Sequence, residues 1–414
     1  MMLNRIRNIR KDELIKGSFI LFAMLGIYNV FNYVFQISMA RLLGPADYGI
    51  LAVLMSIIYI FAIPSEAIQN FITKYTSIFN VHNKLGKTKD LMFRSLKKSA
   101  LLSLVMFILF IPLSLFLSDF LKIDIWLVLL IGLFIFTVFI MPVMRGIIQG
   151  RKKFSSLGLN FVLESICKVI LSILLVLLGW KVYGAMTAVL LASVFAFVIS
   201  LVPLKEIIHS KRERGEFNNI YKTNLPLIIA TISIVLMYSI DIILARRFFS
   251  PEIAGQFAFV SLIGKVIIFV SSSIGKTMFP LSAEEFEKGN KTSKLLKKSL
   301  ILVSIMAAIS LILYSIFPKE IVFIVSLGSS QYLETAHILF TLGLSYSLIS
   351  IANVIVLYKL STNRIRKSAY FLLSFAILEV ILLSLFNSNI VEFSISLLFS
   401  SLLIFLYSLL LLKK

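Results

Sequence analysis

Apolar residues fall into about twelve blocks along this chain, and each block is long enough to cross a lipid bilayer as a helix. A hydrocarbon core of about 30 Å needs about 20 apolar residues at the rise of an α-helix. Polar and charged residues gather in the short segments between the blocks. The pattern predicts membrane-spanning helices near 18–40, 50–72, 96–117, 126–145, 159–179, 183–204, 223–245, 257–279, 299–317, 334–358, 369–386 and 390–412.

Positive charge is distributed unevenly between the two sides that these helices define. With the N-terminus inside, the inner segments hold 33 of the 41 Lys and Arg residues, and the outer segments hold six. Cytoplasmic loops of membrane proteins carry such an excess. The distribution predicts twelve helices with both termini on the cytoplasmic side of the cell membrane. It also explains the net charge of +21 without nucleic acid as a partner.

The sequence lacks the residue patterns of common enzyme and metal sites. His82, His209 and His337 are scattered, and the single cysteine, Cys167, lies inside the fifth predicted span. Nucleophile elbows, phosphate-binding glycine loops and paired loop carboxylates are absent from the sequence. The longest outer segment, about 318–333, is too short to fold as a catalytic domain. We therefore expect a protein that is not an enzyme and that uses no cofactor or metal.

The two halves of the sequence resemble each other. The matching pairs, at offsets of 205 and then 206 residues, are Tyr33–Tyr238, Ala40–Ala245, Arg41–Arg246, Pro45–Pro251, Gly49–Gly255 and Ala52–Ala258. Each half has an even number of spans, so both halves enter the membrane in the same direction, as in the parallel repeats of transporters. The repeat predicts two pseudo-symmetric six-helix lobes, 1–204 and 223–414, joined by a cytoplasmic linker at 205–222 and facing a central cavity.

Polar residues inside the predicted spans are the candidate functional residues. An ionised side chain at mid-bilayer costs about 3 kcal/mol on insertion scales, so each one needs a partner, water or a role. Helical spacing places polar stripes on the first, second, seventh and eighth spans, which correspond by the repeat. The stripes predict a cavity lining, and hydrogen bonding between helices within each lobe is the alternative. The candidate substrate-binding residues are Lys265, Asp241, Glu66, Asn32, Gln36, Asn70, Lys168 and Arg145.

Two pairs of charged residues have alternative interpretations. Asp241 and Lys265 lie in the outer halves of their spans, and they form either a structural ion pair or part of a substrate or gating site. Glu164 and Lys168 are four residues apart on one helix, so we expect them to pair with each other.

Two further glutamates, Glu66 and Glu379, lie inside predicted spans. Glu66 follows Pro64, and a proline bends a membrane helix locally. A bend beside a carboxylate favours a hinge with a proton or cation site. Glu379 lies in the eleventh span, a helix that we expect to be peripheral.

Four short stretches carry a family resemblance: ARLLGPADYG at 40–49, RGIIQGRKKFSSLGLN at 145–160, VYGA at 182–185 and DIILARRFFSPEIAGQFA at 241–258. They resemble the polysaccharide biosynthesis flippase family of the multidrug/oligosaccharidyl-lipid/polysaccharide (MOP) exporter superfamily. The resemblance implies an all-α polytopic membrane protein with a MATE-like fold. It also implies transport of a lipid-linked glycan to the outer leaflet, with a polyprenyl-pyrophosphate glycan, membrane lipid and other polysaccharide-synthesis proteins as partners.

A flippase for a polyprenyl-pyrophosphate oligosaccharide fits these features best. The pyrophosphate needs cations, for which Lys265, Lys168 and Arg145 are the candidates. The alternatives are a cation-coupled multidrug exporter of the same superfamily, a lipid II flippase, an integral-membrane glycosyltransferase and a non-transporting scaffold. A lysine in the cavity lining disfavours the drug exporter, and the lack of an acidic outer loop disfavours the glycosyltransferase.

Overall fold

The computed structural model describes residues 2–215, 225–290, 292–362 and 368–413, in which the chain forms helices and no β-strand. Part of the predicted linker, 216–222, lies outside the described residues. The α-helices in chain order are α1 (Met2–Phe61), α2 (Ile63–Val81), α3 (Leu85–Leu121), α4 (Ile125–Gly132), α5 (Phe134–Gly150), α6 (Phe154–Leu175), α7 (Lys181–Ser200), α8 (Lys205–His209), α9 (Leu225–Met237), α10 (Ile240–Phe248), α11 (Pro251–Gly264), α12 (Val266–Glu287), α13 (Ser293–Ile316), α14 (Pro318–Val325), α15 (Leu339–Ser361), α16 (Ser368–Leu385) and α17 (Ile390–Lys413).

The predicted spans fall on these helices. In the described residues, eight helical segments are long and apolar enough to cross a membrane, or nine if the bent pair α9 and α10 is one span. Two segments, Ile20–Val81 and Phe154–His209, run for 62 and 56 residues, more than twice the length that a bilayer requires. Each of them contains two predicted spans. The chain is therefore a multi-pass, all-helical membrane protein, as predicted, and the number of twelve spans stays a prediction.

A glycine and a proline lie at the two irregular points of the long first segment, Ile20–Val81. Gly44 within α1 has φ of 74°, a backbone conformation that glycine adopts without steric cost. Helix α1 ends at Phe61, and α2 begins at Ile63 with Pro64 in its first turn. The helix is therefore interrupted next to Pro64, and a hinge at this point stays a prediction.

The described helices form two compact units. The first unit comprises Met1–Leu42 and Phe61–Thr223, and the second comprises Leu43–Ile60 and Asn224–Lys414. The division after Thr223 falls close to the end of the predicted linker. The predicted lobes differ from the two units in one respect, because the segment Leu43–Ile60, which the repeat assigns to the first lobe, packs within the second unit.

A buried aromatic cluster holds this segment in the second unit. Tyr48 is 1% exposed. The centre of its ring lies 5.9 Å from that of Phe259 and 6.3 Å from that of Tyr332, and both contacts are edge-to-face. Such contacts contribute about 0.5–1.5 kcal/mol beyond the burial of area.

Two glycines allow the backbone of this segment to touch α11. A Cβ atom on Gly255 would lie 1.7 Å from the carbonyl oxygen of Pro45, and one on Gly49 would lie 2.9 Å from the Cα atom of Gly255. Gly49 and Gly255 are equivalent positions of the sequence repeat. Small residues permit this close approach of helices inside a membrane.

Candidate functional site

The first unit contains two cations, one carboxylate and two amides that lie together, which we call the arginine–lysine cluster. It consists of Arg145 of α5, Asn160, Glu164 and Lys168 of α6, and Asn32 of α1. The three residues of α6 are spaced by four, so they share one face of that helix. Their periodicity explains how a single helix supplies most of the cluster.

Arg145 is held by three neighbours. Its Nε donates to Oδ1 of Asn160 at 2.9 Å, and its Nη2 lies 2.5 Å from Oε2 of Glu164. Its guanidinium carbon lies 3.8 Å from the ring centre of Phe161. The side chains of Arg145 and Glu164 are only 12% and 16% exposed. Ser193 donates to the second oxygen of Glu164 at 3.1 Å, so both carboxylate oxygens have partners.

The positive charge of Lys168 is less well balanced by neighbouring negative charge than that of Arg145. It is 7% exposed, its ammonium donates to Oδ1 of Asn32, and it lies 4.6 Å from the ring centre of Phe35. The predicted ion pair of Lys168 with Glu164 is wrong, because the guanidinium of Arg145 reaches that carboxylate from a neighbouring helix. Among the described residues, no carboxylate lies within ion-pair distance of Lys168. The cluster therefore carries two positive charges and one negative charge.

The other predicted residues of the first unit lie outside this cluster. Gln36 of α1 is half-buried, and Glu66 and Asn70 of α2 are exposed. Thr73, which lies three residues after Asn70 on α2, donates to the carbonyl oxygen of Gly146 at 3.2 Å. Hydrogen bonding between helices therefore accounts for Thr73, whereas substrate binding by Gln36, Glu66 and Asn70 stays a prediction.

The second unit contains a buried ion pair with two hydroxyl groups, which we call the aspartate–lysine cluster (Asp241, Lys265, Ser261 and Tyr346). Nζ of Lys265 lies 2.9 Å from Oδ2 and 3.1 Å from Oδ1 of Asp241. Ser261 donates to Oδ2 of Asp241 at 3.2 Å, and the hydroxyl of Tyr346 also donates to this oxygen. Asp241 is 0% exposed and Lys265 is 6% exposed. Of the two interpretations of this pair, the structure shows the ion pair.

Breaks between helices position both members of the ion pair. Asp241 lies in the first turn of α10, after a break that follows Met237. Lys265 lies between α11, which ends at Gly264, and α12, which begins at Val266. A carboxylate in the first turn of a helix is stabilised by the free N–H groups and the helix dipole.

The sequence did not single out Tyr346 of this cluster or Ser400, and it placed Glu379 inside a span without indicating its neighbours. Glu379 of α16 is 0% exposed, and its Oε2 accepts a hydrogen bond from Ser400 of α17 at 3.1 Å. Because α16 packs against α9 and α17, the face that bears Glu379 is enclosed, whereas Phe371 and Ile377 of the same helix are more than half exposed, as expected of a peripheral helix. The single glutamate in an otherwise apolar helix was visible in the sequence, but its contact with Ser400 was not.

Metal-ligand groups and sequence relatives add two negative results. No group of three or more His, Cys, Asp or Glu side chains that could hold a metal ion occurs in the described ranges. No curated protein sequence matches the chain.

Solved transporter structures share the fold at low sequence identity. An inward-facing multidrug resistance MATE family transporter of the MOP superfamily aligns with a TM-score of 0.74 and 14% identity, over 95% of this chain and 99% of that chain. An outward-facing MATE family transporter of the same superfamily gives 0.66 and 14%, over 97% and 94%. A MATE structure in the straight conformation gives 0.65 and 15%, over 98% and 97%. The predicted MATE-like fold is therefore confirmed.

The family model for the polysaccharide biosynthesis proteins matches residues 14–286. This range is about two thirds of the chain and includes all four stretches that carry the resemblance in the sequence. The chain, with its MATE-like fold and charged clusters inside apolar helices, therefore belongs to the polysaccharide biosynthesis protein family.

Proposed function

We propose that this protein moves a lipid-linked oligosaccharide, a polyprenyl-pyrophosphate glycan, from the cytoplasmic to the outer leaflet of the cell membrane by alternating access. Family membership and the MATE-like fold support a MOP-type transporter. The excess positive charge of the arginine–lysine cluster is the observation that supports an anionic substrate. The distribution of Lys and Arg supports cytoplasmic termini.

Charge balance distinguishes the two clusters as sites for a pyrophosphate. In the aspartate–lysine cluster one carboxylate matches one ammonium. In the arginine–lysine cluster Arg145 is matched by Glu164, and Lys168 has amide and aromatic partners. A buried cation without a counter-ion is costly, and a phosphate group would relieve this cost and form charge-assisted hydrogen bonds. This comparison favours Lys168 and Arg145 over Lys265 as the anion-binding residues.

The two cations lie at different depths along their helices. Arg145 is five residues from the end of α5 at Gly150, and Lys168 is 14 residues from the start of α6 at Phe154. At the rise of an α-helix they are about 8 Å and 21 Å from the predicted cytoplasmic ends. A head group that enters from the cytoplasm would meet Arg145 first and Lys168 near the middle of the membrane. The prenyl tail can remain in lipid while the glycan takes a polar route.

The membrane potential is a sufficient energy source for an anionic substrate. Outward movement of one negative charge from a negative interior releases about 2.3 kcal/mol per 100 mV. The two phosphate charges release about twice that amount. We therefore expect an inside-negative potential to accelerate transport without nucleotide hydrolysis.

A cation-coupled multidrug exporter is the second candidate, since a similar solved structure is a multidrug resistance transporter. A site for cationic drugs needs an excess of negative charge or an aromatic pocket. The arginine–lysine cluster has the opposite charge excess, which favours the glycan-lipid proposal.

The experiment is transport of a fluorescent polyprenyl-pyrophosphate oligosaccharide in proteoliposomes, with and without an inside-negative potential. Lys168→Met should lower the rate roughly ten- to a hundredfold, because a charge-assisted hydrogen bond contributes about 1.5–3 kcal/mol. The exposed Lys319 provides a matched control, and Lys319→Met should transport at the wild-type rate. Proton- or sodium-driven efflux of cationic dyes, without movement of the glycan lipid, would identify a drug exporter instead.

Lys168 is a better test position than Lys265. Removal of Lys168 eliminates a poorly compensated buried charge, so the fold should be retained. Removal of Lys265 alone would leave Asp241 buried without its counter-ion, at a cost of about 3–5 kcal/mol. Loss of transport in a Lys265 variant would therefore not distinguish substrate binding from loss of stability.

A further inference from the structure

We propose that Glu379 is a proton-binding site in the second unit and that the ammonium of Lys265 excludes metal cations from it. The proposal comes from the burial and the partners of Glu379, Asp241 and Lys265. It does not depend on the identity of the substrate. Only its role in driving transport rests on the function proposed above.

Glu379 is enclosed and incompletely hydrogen-bonded. It is 0% exposed. Its Oε2 accepts one hydrogen bond from Ser400, and its Oε1 has no hydrogen-bond partner in the part of the chain that the structure describes. An ionised carboxylate in such surroundings costs several kcal/mol unless a cation pairs with it. A neutral carboxylic acid fits the same surroundings at a much smaller cost.

The groups around Glu379 supply one cation for two carboxyl groups. Helix α9 has no titratable side chain. Helix α10 contributes Asp241, the break between α11 and α12 contributes Lys265, and α15 contributes Tyr346. The remaining charged or titratable residues of α10 and α17 in the described ranges are Arg246, Arg247, Glu392, Tyr407 and Lys413. Because Lys265 binds Asp241 at 2.9 Å, Glu379 reaches charge balance by binding a proton.

Lys265 also explains why the bound cation is a proton. A metal cation between these carboxyl groups would need several oxygen ligands, and both oxygens of Asp241 already contact Nζ of Lys265. The ammonium is covalently attached and cannot leave the cluster by exchange. A proton needs only one oxygen atom, and Oε1 of Glu379 offers it.

Proton release from Glu379 would create a second carboxylate that can pair with the ammonium of Lys265. The O–H bond of the carboxylic acid breaks, the proton goes to water, and a second carboxylate remains near a single ammonium. The two carboxylates then compete for Lys265. This competition would link the protonation of α16 to the positions of α10 and of the break between α11 and α12, and it would let a proton gradient bias the transport cycle.

Infrared difference spectroscopy of the purified protein in lipid bilayers tests the proton site without any substrate. At neutral pH the wild type should show one more buried carboxylic acid per chain than Glu379→Gln. The exposed Glu320 provides the control, and Glu320→Gln should match the wild type. A carboxylic acid signal that persists in Glu379→Gln, or one that sodium removes from the wild type at constant pH, would overturn the proposal.

Two further variants keep the test decisive if Glu379→Gln does not fold. Ser400→Ala removes the hydroxyl that donates to Glu379, so the frequency of the carboxylic acid band should shift, and an unshifted band would contradict the assignment. Lys265→Gln should lower the thermal stability because Asp241 loses its counter-ion, and sodium should restore part of this loss; a loss that sodium does not change would refute the exclusion of metal by Lys265. If the wild type shows the carboxylic acid signal but does not transport the glycan lipid, the proposed function is rejected and the proton site is retained.

Discussion

Replacement of Gly255 by alanine tests the contact that joins the segment Leu43–Ile60 to α11. The new Cβ atom would lie 1.7 Å from the carbonyl oxygen of Pro45 and 2.4 Å from its carbonyl carbon. Both are backbone atoms, so no side-chain rotation relieves the overlap. The two segments must separate by about 2 Å to reach an ordinary van der Waals distance.

The size of the effect follows from the packing around this contact. An extra methyl group in a well-packed interior costs about 1–3 kcal/mol. Separation also weakens the two edge-to-face contacts of Tyr48, which contribute about 0.5–1.5 kcal/mol each. We expect Gly255→Ala to destabilise the contact by about 2–4 kcal/mol, which raises the population of the separated state roughly thirtyfold to several hundredfold.

Thiol labelling measures this population. Leu51 is 0% exposed within the same segment, so Leu51→Cys in a Cys167→Ser background should react slowly with a maleimide. Gly255→Ala should accelerate the reaction by the factor above. A Cβ atom at Gly26 would meet nothing within 4 Å, so Gly26→Ala is the matched control. Equal labelling rates and equal unfolding temperatures in the two alanine variants would refute the reasoning.

Two further predictions concern charged residues of the first unit near the ends of its helices. Asp90 binds Arg212 at 2.8 Å and the N–H of Gly215 at 3.0 Å. Hydrogen bonds to charged groups contribute about 1.5–3 kcal/mol, so Asp90→Ala should destabilise the protein by about that amount and speed tryptic cleavage at Arg212. Unchanged cleavage would contradict this. The hydroxyl of Tyr183 donates to Asp124 at 2.6 Å, and this bond holds the pKa of the Asp124 carboxyl below its usual value. A lowered pKa stabilises the folded state above the unfolded pKa of about 4 and loses this effect as the pH falls through the folded pKa. Tyr183→Phe should therefore reduce the decline of the unfolding temperature in acid, and an identical decline would count against the hydrogen bond.

The class of the protein and its family were accessible from the sequence because the bilayer imposes simple rules. A fixed hydrocarbon thickness sets the length of each apolar block, and the sorting of Lys and Arg sets the direction of insertion. The motifs at 40–49 and 145–160 were sufficient to indicate the family that the family model confirms. These signals are local, since each can be read from residues that are near one another in the chain.

The partners of the buried charges depend on the tertiary structure. Helical spacing suggested that Glu164 pairs with Lys168. In the structure, Arg145 of α5 forms the ion pair with this carboxylate instead. No sequence pattern places Glu379 near Lys265, because their separation is set by the rotation and packing of α16.

The segment Leu43–Ile60 shows the same division between sequence and tertiary structure. The repeat correctly identified Gly49 and Gly255 as equivalent positions. That these two glycines touch each other, and that the segment packs in the second unit, follows from the close backbone approach and the burial of Tyr48. Apolar length and charge decide that a helix crosses the membrane, whereas the neighbour of each side chain is decided by packing between helices that are distant in the chain.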